Sequence, residues 1–336
     1  MTMEQNDTLS EVELNHIAAE LMSRYALSTV KDIKLICRSE NATFKITTET
    51  KGYALRIHRP NYHDHAAIES ELAWLDALKK SGISVPTPVA CQQGNHVQQV
   101  NTSENTPRCA VLFEWMEGAM PNTDTDPALF EQLGELMAKL HLHAIQWPRP
   151  SHFKRLVWQH DTMVGDNGIW GDWRNVSGLT ESDKQLIEEV LASIAKHLDW
   201  YGQSAQRFGL IHADLRLTNL LLHDNGAHVI DFDDCGLGWF MHDAAATISF
   251  YEHYPNRQQW INNWLKGYQR IRPLTPADLE ILPVMIMQRR IQLLAWVGSH
   301  HDTEMAKSLG QDWLQHTLSL CRSYLTGQNH ILSVAG

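Results

Sequence analysis

The chain has 336 residues, of which 43% are hydrophobic and 20% are charged. This composition is typical of a folded protein with a sizeable core, so disorder is excluded as the main state, and the length suits two domains better than one. The formal net charge of -11 disfavours nonspecific binding to nucleic acid, because an acidic surface repels phosphates.

No segment of the sequence predicts a membrane span or a secretory signal. The first residues, MTMEQNDTLSEVE, lack the basic and apolar segments of a signal peptide. The longest apolar stretch, residues 281–298, carries Arg289 and Arg290 at its middle, which predicts a buried helix and no membrane contact. These arginines need acidic partners, and a structural salt bridge is favoured over a substrate contact. The five scattered cysteines lack CxxC spacing, so we expect a cytoplasmic protein.

The N-terminal part predicts a helix, an antiparallel meander and a second helix. Ser10 and Glu13 form a capping-box pattern ahead of apolar residues spaced by three and four. Alternating apolar residues predict strands around residues 33–37, 44–46 and 53–57. A second helical stripe runs from 68 to 78 and should end near Ser81, and a further strand is predicted over 109–115.

Gly, Pro, Asn and Asp dominate around residues 118–127, which predicts a boundary between an N-terminal nucleotide-binding domain, 1–117, and a C-terminal domain, 118–336. Helical stripes dominate the second domain, and helices resume near residue 242 and continue to about residue 326. One hairpin is predicted there, with strands over 219–223 and 227–232. The predicted fold class is therefore α+β, with an antiparallel sheet and a helix followed by a larger, mostly helical domain.

The most informative stretch is IHADLRLTN, residues 211–219, followed by DFDD at 231–234. This is the spacing of a kinase catalytic loop and of a metal-binding Asp after a short hairpin. Phosphoryl transfer needs one carboxylate to orient the attacking hydroxyl and accept its proton, and oxygen ligands to hold Mg²⁺ against the phosphates. The full pattern predicts an ATP- and Mg²⁺-dependent kinase, whereas an isolated HxD would suggest only a turn or a buried hydrogen bond.

A second kinase pattern lies in the strand YALRI, residues 53–57. Ala54 and Arg56 share the strand face opposite to the apolar residues, in the order of the kinase motif V-A-I-K. Ala54 is therefore predicted to lie above the adenine. Arg56 is predicted to bind phosphate in place of the usual lysine, the alternative for Arg56 being a solvent-facing arginine. Glu71 lies within or beside the apolar stripe of the next helix and needs a partner, for which we propose Arg56. Glu69 is the alternative carboxylate.

Two loops are candidates to contact the nucleotide. Residues 39–43 join the first two strands where a kinase loop would cover the phosphates, but they contain no glycine. Their hydroxyl and backbone N–H groups are candidate phosphate ligands, and an ordinary polar hairpin is the equal alternative. Residues 114–118 are interpreted as the hinge whose backbone would contact adenine. The candidate residues in these loops are Ser39, Asn41, Thr43, Glu114 and Met116.

Four segments together resemble the aminoglycoside phosphotransferase and choline kinase family: IHADLRLTNLLL, VIDFDDCGLGWFMHDAA, LGELMAKLHLHA and SVPTPV. Within that family the chain is similar to the branch holding type II homoserine kinases, hydroxylysine kinase and bacterial stress-response Ser/Thr kinases. The resemblance covers about residues 30–300 and implies a two-lobed, protein-kinase-like fold. It also implies a small amine-bearing or amino-acid-like substrate, homoserine-like in character, whose hydroxyl receives the γ-phosphate of ATP.

The resemblance implies Asp214 as the catalytic base and Asn219 and Asp231 as magnesium ligands. It implies Asp243 as a buried support of the loop through His212, with a helix N-terminal acid as the alternative. Arg216 is grouped with Asp214 and His212 as a catalytic-loop residue. The candidate substrate contacts are Asp233, Asp234, Trp173 and Trp239. For Asp233 and Asp234 the alternatives are a second metal or only solvent, and for the tryptophan-rich segment 158–173 core packing remains the alternative.

Two other functions stay open from the sequence. A Ser/Thr protein kinase of the stress-response type would use the same residues on a polypeptide. A nucleotide-binding pseudokinase scaffold without transfer activity would explain Arg56 and the glycine-free loop. We expect a small-molecule substrate, or a protein in the first alternative, and no nucleic-acid or membrane partner. The histidine clusters at 63–65 and 300–302 are attributed to composition, since the chain has 19 histidines.

Overall fold

The structure is a computed structural model that describes residues 9–38, 40–103, 106–223 and 226–327. The chain divides into two compact units. Unit 1 comprises Met1–Ala119, Pro148–Arg155 and His228–Asp233, and unit 2 comprises Met120–Trp147, Leu156–Ala227 and Asp234–Gly336. The chain first passes from unit 1 to unit 2 after Ala119, close to the boundary expected at 117–118. The two short segments by which the chain returns to unit 1 have no signature in the composition.

Unit 1 is built on an antiparallel sheet. Its elements are α1 (Glu11–Met22), β1 (Val30–Arg38), β2 (Ala42–Thr48), β3 (Gly52–Ile57), α2 (His65–Lys80), β4 (Val97–Val100) and β5 (Arg108–Glu114). The strand order is β1-β2-β3-β5-β4, and every neighbouring pair is antiparallel, as the predicted meander requires. Burial alternates along β2, so one face of the strand packs into the core.

Side-chain caps fix where the two helices of unit 1 begin. The Oγ of Ser10 accepts a hydrogen bond from the backbone N–H of Glu13 at 3.2 Å, and Asp64 caps α2 in the same way. α2 ends at Lys80, next to the predicted stop at Ser81. Its buried face includes Glu71, which is 1% exposed, so this carboxylate lies among apolar side chains.

Unit 2 is mostly helical. Its elements are α3 (Leu129–Gln146), β6 (Leu156–Trp158), α4 (His160–Val164), α5 (Glu181–Tyr201), β7 (Phe208–Ile211), β8 (Leu220–His223), β9 (Gly226–Val229), β10 (Gly236–Trp239), α6 (Phe240–Ala246), α7 (Arg257–Ile271), α8 (Pro276–Ser299) and α9 (Glu304–Leu325), with β9 ending in unit 1. β10 pairs with β6 in parallel and with β7 antiparallel. β8 and β9 form the predicted hairpin, whose turn residues 224–225 lie outside the described residues.

Two glycines let α3 and α7 pack with their backbones close together. A Cβ at Gly134 would lie 1.9 Å from the carbonyl oxygen of Trp264, and a Cβ at Gly267 would lie 1.8 Å from that of Glu131. Any larger residue would force these helices apart, because backbone atoms cannot move aside as a flexible side chain can. In the same helix pair, Nδ1 of His141 on α3 lies 2.9 Å from the hydroxyl of Tyr268 on α7.

α8 is the buried helix predicted over residues 281–298. Thr275 and Asp278 form a capping box at its start, and Pro276 occupies its first turn, where no backbone N–H is needed. Almost every residue from Ile281 to Trp296 is buried, including both arginines. In the part of the chain that the structure describes, no helix is both long enough and apolar enough to cross a membrane.

Candidate active site

The loop after β7 holds the carboxylate of Asp214 by both of its oxygens. Asp214 Oδ2 accepts hydrogen bonds from Asn219 Nδ2 at 2.9 Å and from Arg216 Nε at 3.1 Å. Asp214 Oδ1 accepts one from Nη2 of Arg289 in the middle of α8. We call these four residues the Asp214 cluster. All four lie in unit 2, so the predicted base and two of its loop neighbours are brought together in one unit.

Charge keeps Asp214 ionised in this buried position. Burial by itself would raise the pKa of the carboxyl group, because a low-dielectric environment disfavours a charge. Arg216 and Arg289 outweigh that effect and hold the pKa of Asp214 below its ordinary value. Asp214 is therefore a carboxylate at neutral pH, which is the state that a proton acceptor requires.

The side chain of Asp243, on α6, supports the catalytic loop by accepting hydrogen bonds from the loop backbone. Asp243 Oδ2 accepts the N–H of His212 at 3.0 Å, and Oδ1 accepts the N–H of Ala213 at 2.8 Å. The expected support thus reaches His212 through its backbone N–H, and the His212 ring instead accepts the N–H of Asp214 at 3.3 Å. Ala213 has a φ of 70°, a strained left-handed conformation for a residue with a Cβ, so its peptide groups need such partners.

Asp243 is held in turn by a buried histidine. His141 Nε2 lies 3.0 Å from Asp243 Oδ2, and His141 Nδ1 lies 2.9 Å from the hydroxyl of Tyr268 on α7. With Nε2 as the donor, Nδ1 accepts from the tyrosine, and Arg272 Nη1 donates to the same hydroxyl at 2.5 Å. Burial would raise the pKa of Asp243, but the hydrogen bond from His141 lowers it below its ordinary value.

In unit 1, Arg56 of β3 pairs with Glu71 of α2, as the sequence predicts. Arg56 Nη2 donates to Glu71 Oε1 at 2.6 Å, and both side chains are buried. Nη1 of the same guanidinium lies 3.7 Å from Asp231 Oδ1 and 3.9 Å from Asp233 Oδ1. Burial would lower the pKa of Arg56, but the surrounding carboxylates raise it, so the cation is permanent. We call these four residues the Arg56 cluster.

The two acids of this cluster differ in exposure. The Asp231 side chain is 46% exposed, whereas that of Asp233 is 6% exposed. Asp233 Oδ2 accepts from Asn41 Nδ2 at 2.8 Å, and Asp233 Oδ1 lies 3.3 Å from Nδ1 of His58. His63 Nε2 lies 2.7 Å from the Asp233 backbone oxygen. Burial would raise the pKa of Asp233, but His63, His58 and Arg56 hold it well below its ordinary value.

The remaining predicted nucleotide contacts also lie in unit 1. Ala54 lies two residues before Arg56 on β3, and Thr43 of β2 is directly opposite Arg56 in the sheet register. Glu114 accepts a hydrogen bond from Lys51 Nζ at 2.8 Å, and Met116 is half-buried just after β5. Ser39 lies outside the described residues.

The predicted substrate contacts other than Asp233 lie in unit 2 and are buried. Trp173 is 0% exposed, and Trp239 Nε1 donates to the Gly202 carbonyl at 2.9 Å. The backbone oxygen of Asp234 accepts from Trp158 Nε1 at 2.7 Å. The tryptophans of segment 158–173 thus pack within unit 2, as the core-packing alternative describes, and their contact with a substrate stays a prediction.

The donor atoms proposed for a metal fit a hard cation. Asn219 Nδ2 donates to Asp214, which leaves the amide oxygen of Asn219 as its other possible ligand atom. Asp231 presents a half-exposed carboxylate from a backbone with φ of 61°. Amide and carboxylate oxygens are the ligands that Mg²⁺ prefers. Within the described ranges, no group of three or more His, Cys, Asp or Glu side chains is arranged to hold a metal.

The sequence patterns do not identify several residues that belong to these clusters or support them. The pattern around Arg289 predicts only a cation that needs an acid, and its partner Asp214 is 75 positions away. His58 and His63 were not assigned to Asp233. The segment LGELMAKLHLHA includes His141 but indicates no partner for it. For Arg289 the available signal is an ionisable residue inside an apolar segment, which predicts a buried partner without identifying it.

Comparison with known proteins is consistent with this geometry. Residues 34–277 match the model of a family described as the phosphotransferase enzyme family. The chain is 24% identical over 288 residues to an amicoumacin kinase of Bacillus subtilis (strain 168), with 82% of each chain covered. It is 26% identical over 281 residues to a homoserine kinase of Janthinobacterium sp. (strain Marseille), covering 80% of this chain and 79% of that one.

A solved structure of a microcompartment-associated aminopropanol kinase is similar along almost the whole chain. Its TM-score is 0.86 and its identity 36%, with 93% of this chain and 98% of that chain covered. The predicted α+β, protein-kinase-like fold is confirmed. The family match covers well over half of the sequence, and the phosphotransferase activity predicted from the catalytic-loop spacing is the activity of that family. The chain belongs to the phosphotransferase enzyme family, and its prediction as a kinase is confirmed.

Proposed function

We propose that this kinase transfers the γ-phosphate of ATP to the hydroxyl of a small amino alcohol or a related amino acid. The observation that carries the proposal is the Asp214 carboxylate, ionised and fixed by Arg216, Asn219 and Arg289. The substrate class is suggested by the 36% identity to an aminopropanol kinase and, more distantly, by a homoserine kinase at 26%. Each of those named substrates carries both an amine and a hydroxyl group.

In the proposed reaction, Asp214 orients the acceptor hydroxyl and takes its proton. The acceptor oxygen forms a bond to the γ-phosphorus as the bond from that phosphorus to the β–γ bridging oxygen breaks, and ADP leaves with that electron pair. The proton of the hydroxyl passes to the Asp214 carboxylate. Because phosphoryl transfer has a loose transition state, the main contribution of Asp214 is orientation of the nucleophile.

Arg56 is proposed to bind the triphosphate, and Asn219 and Asp231 are proposed as metal ligands. Arg56, held by Glu71, would contact the phosphates with its guanidinium, which remains a cation at all relevant pH values. Asn219 and Asp231 would hold a Mg²⁺ ion, which supplies positive charge to the phosphates when bound. A related amicoumacin kinase, 20% identical, has been solved with AMP-PNP and Ca²⁺, which supports ATP and a divalent cation as cofactors here.

The location proposed for this enzyme is the cytoplasm. The support is the sequence alone, in which five cysteines are scattered without paired spacing. ATP is also a cytoplasmic nucleotide, so the proposed reaction and the proposed compartment agree. A shift of activity to a periplasmic or secreted fraction of the producing cell would contradict this location.

An acceptor panel tests the proposed function. ATP turnover would be measured with aminopropanol, ethanolamine, choline, homoserine and hydroxylysine, and with a serine- and threonine-containing peptide mixture. We expect an amino alcohol or amino acid to stimulate ADP release with matching phosphorylation of the acceptor. Phosphorylation of the peptides alone would favour the protein-kinase alternative, and ATP binding without transfer to any acceptor would favour the scaffold.

Asp214→Asn provides the mechanistic arm of that experiment. It should lower kcat by about 10³-fold, within the range that a positioned general base contributes. Asp199→Asn, on the exposed face of α5, is the matched control and should leave kcat unchanged. Turnover that survives Asp214→Asn undiminished would exclude Asp214 as the base.

A further inference from the structure

A completely buried arginine holds the loop that carries the base. Arg289 lies in the middle of α8 and is 0% exposed. Its Nη2 donates to Asp214 Oδ1, and its Nε donates to Ser249 Oγ at 2.9 Å. Its Nη1 lies 3.2 Å from the backbone oxygen of Ala213 and 3.2 Å from Gln292 Oε1. Four of its five N–H groups thus have partners inside unit 2, so nearly all of its donors serve the protein's own groups.

These bonds fix the orientation of the Asp214 carboxylate. Arg289 holds Oδ1, and Arg216 and Asn219 hold Oδ2. A carboxylate held at one oxygen can still rotate about its terminal torsion, which is soft, whereas a carboxylate held at both oxygens cannot. The hydrogen bond from Arg289 of α8 therefore fixes the orientation of the Asp214 carboxylate relative to an acceptor hydroxyl.

The same guanidinium also holds the strained peptide before the base. Ala213 has a φ of 70°, and its N–H donates to Asp243 at 2.8 Å. Its carbonyl oxygen accepts from Arg289 and from His242 Nε2, each at 3.2 Å. A left-handed alanine persists only where its surroundings impose it, and Arg289 is the group that contacts both this peptide and the base.

An aromatic ring keeps the guanidinium in place. The Cζ of Arg289 lies 4.7 Å from the ring centroid of Trp170, which is 4% exposed, and Trp158 packs edge-on against Trp170 at 5.7 Å between centroids. A planar guanidinium stacked on an indole has few alternative orientations. This contact connects the tryptophan-rich segment to the base through Arg289.

We propose that Arg289 is a positioning residue for phosphoryl transfer, which fixes the Asp214 carboxylate and the Ala213 peptide while Trp170 holds its guanidinium. The inference rests on the proposed function, because it requires Asp214 to act on the acceptor hydroxyl. Arg289 contacts neither ATP nor the acceptor in this assignment. Its loss should slow the transfer step and leave ground-state binding almost intact.

The next residue in the chain is a matched control. Arg290 is also 0% exposed, donates to a buried acid, Glu252, and lies 3.6 Å from the ring centroid of Trp313. Its other nitrogens donate to Thr317 Oγ1 at 2.8 Å and to the Trp313 carbonyl at 2.9 Å. Arg290 thus has the same burial, charge and stacking as Arg289, with no bond to the Asp214 loop.

The experiment compares Arg289→Met with Arg290→Met in the full chain, below the melting temperature of both. We expect Arg289→Met to lower kcat about 100-fold, the scale of a reacting group displaced by about 1 Å, with KM values for ATP and acceptor nearly unchanged. Arg290→Met should melt at a lower temperature but retain kcat. Arg289→Lys should recover part of kcat, because an ammonium can pair with Asp214 but cannot also reach Ser249 and Ala213. Equal kcat values in the two Met variants would overturn the inference.

Crystal structures of the variants give a readout that does not depend on turnover. Asp214 and Ala213 should be displaced in Arg289→Met and unchanged in Arg290→Met. If the wild type phosphorylates no acceptor, the proposed function fails, but these structures still test the inference. An Asp214 carboxylate that keeps its position in Arg289→Met overturns it. Should the Met variants fail to fold, Arg289→Lys and Arg290→Lys serve for the same comparison.

Discussion

The two units bury their charges in different ways. In the Arg56 cluster, regular elements supply the central pair, since Arg56 is on β3 and Glu71 on α2. In the Asp214 cluster, a loop supplies the carboxylate, and an arginine 75 residues later completes it. The first arrangement is centred on side-chain pairs between the Arg56 guanidinium and nearby carboxylates. The second adds backbone hydrogen bonds around a strained alanine.

This difference indicates what each cluster is suited to do. The Arg56 cluster keeps a permanent cation beside a half-exposed carboxylate, Asp231, which suits binding of phosphate and metal. The Asp214 cluster fixes one carboxylate by both oxygens, which suits control of a reacting atom. This division can be tested through the free energy of unfolding.

The largest effect is expected from Arg56→Met in unit 1. It would leave Glu71, 1% exposed, and Asp233 without their shared cation, and losing one partner of a buried ion pair costs about 3–5 kcal/mol. Arg56→Lys should cost less, because an ammonium can still pair with Glu71. Urea unfolding would measure both.

Lys51→Met is the control in the same unit. Lys51 pairs with Glu114 at 2.8 Å, but both side chains are about half exposed, so this pair should contribute only about 0–1 kcal/mol. If Arg56→Met destabilises the protein no more than Lys51→Met does, the Arg56 cluster is not a desolvated charge network.

A smaller effect is expected from acid, because each unit contains a histidine that must stay neutral. Burial and then Arg155 lower the pKa of His63 to about 3, and burial and then Arg289 lower that of His242 to about 4. In the unfolded chain both pKa values return to about 6.5. Between these values the unfolded state binds more protons, so stability is complete above pH 6.5 and falls as the pH decreases.

At pH 5 each histidine should account for about 2 kcal/mol of lost stability relative to pH 7. His63→Asn and His242→Asn should each reduce the difference between the free energies of unfolding at pH 7 and pH 5. The packing cost of each substitution is the same at both pH values, so it cancels in this difference. A variant with the same pH dependence as the wild type would show that its histidine is already charged in the folded state.

The sequence made parts of both clusters predictable, and the type of element explains which parts. Ala54, Arg56 and Glu71 could be placed because the periods of strands and helices fix which side chains share a face. The catalytic-loop residues could be placed because their spacing is short and specific. Arg289 and His141 could not be paired with the loop, since nothing local identifies which distant acid a buried cation or imidazole will contact.

The smallest effect on stability is expected from Asp231→Asn. Its side chain is 46% exposed and 3.7 Å from Arg56 Nη1, so solvent screening limits the cost to less than about 1 kcal/mol. The same substitution should raise the Mg²⁺ concentration required for half-maximal turnover, because an amide is a weaker ligand than a carboxylate. Thermal melting and a Mg²⁺ titration would measure the two effects separately.

Asp233→Asn is the opposite case in the same segment. The Asp233 side chain is buried and is contacted by Asn41, His58 and Arg56, so its neutralisation should destabilise unit 1 by more than that of Asp231. If Asp231 binds metal and Asp233 anchors the segment, Asp233→Asn should be the more destabilising variant. Asp231→Asn should in turn show the larger increase in the Mg²⁺ concentration required for turnover. The same order in both measurements would mean that exposure does not separate the roles of these two acids.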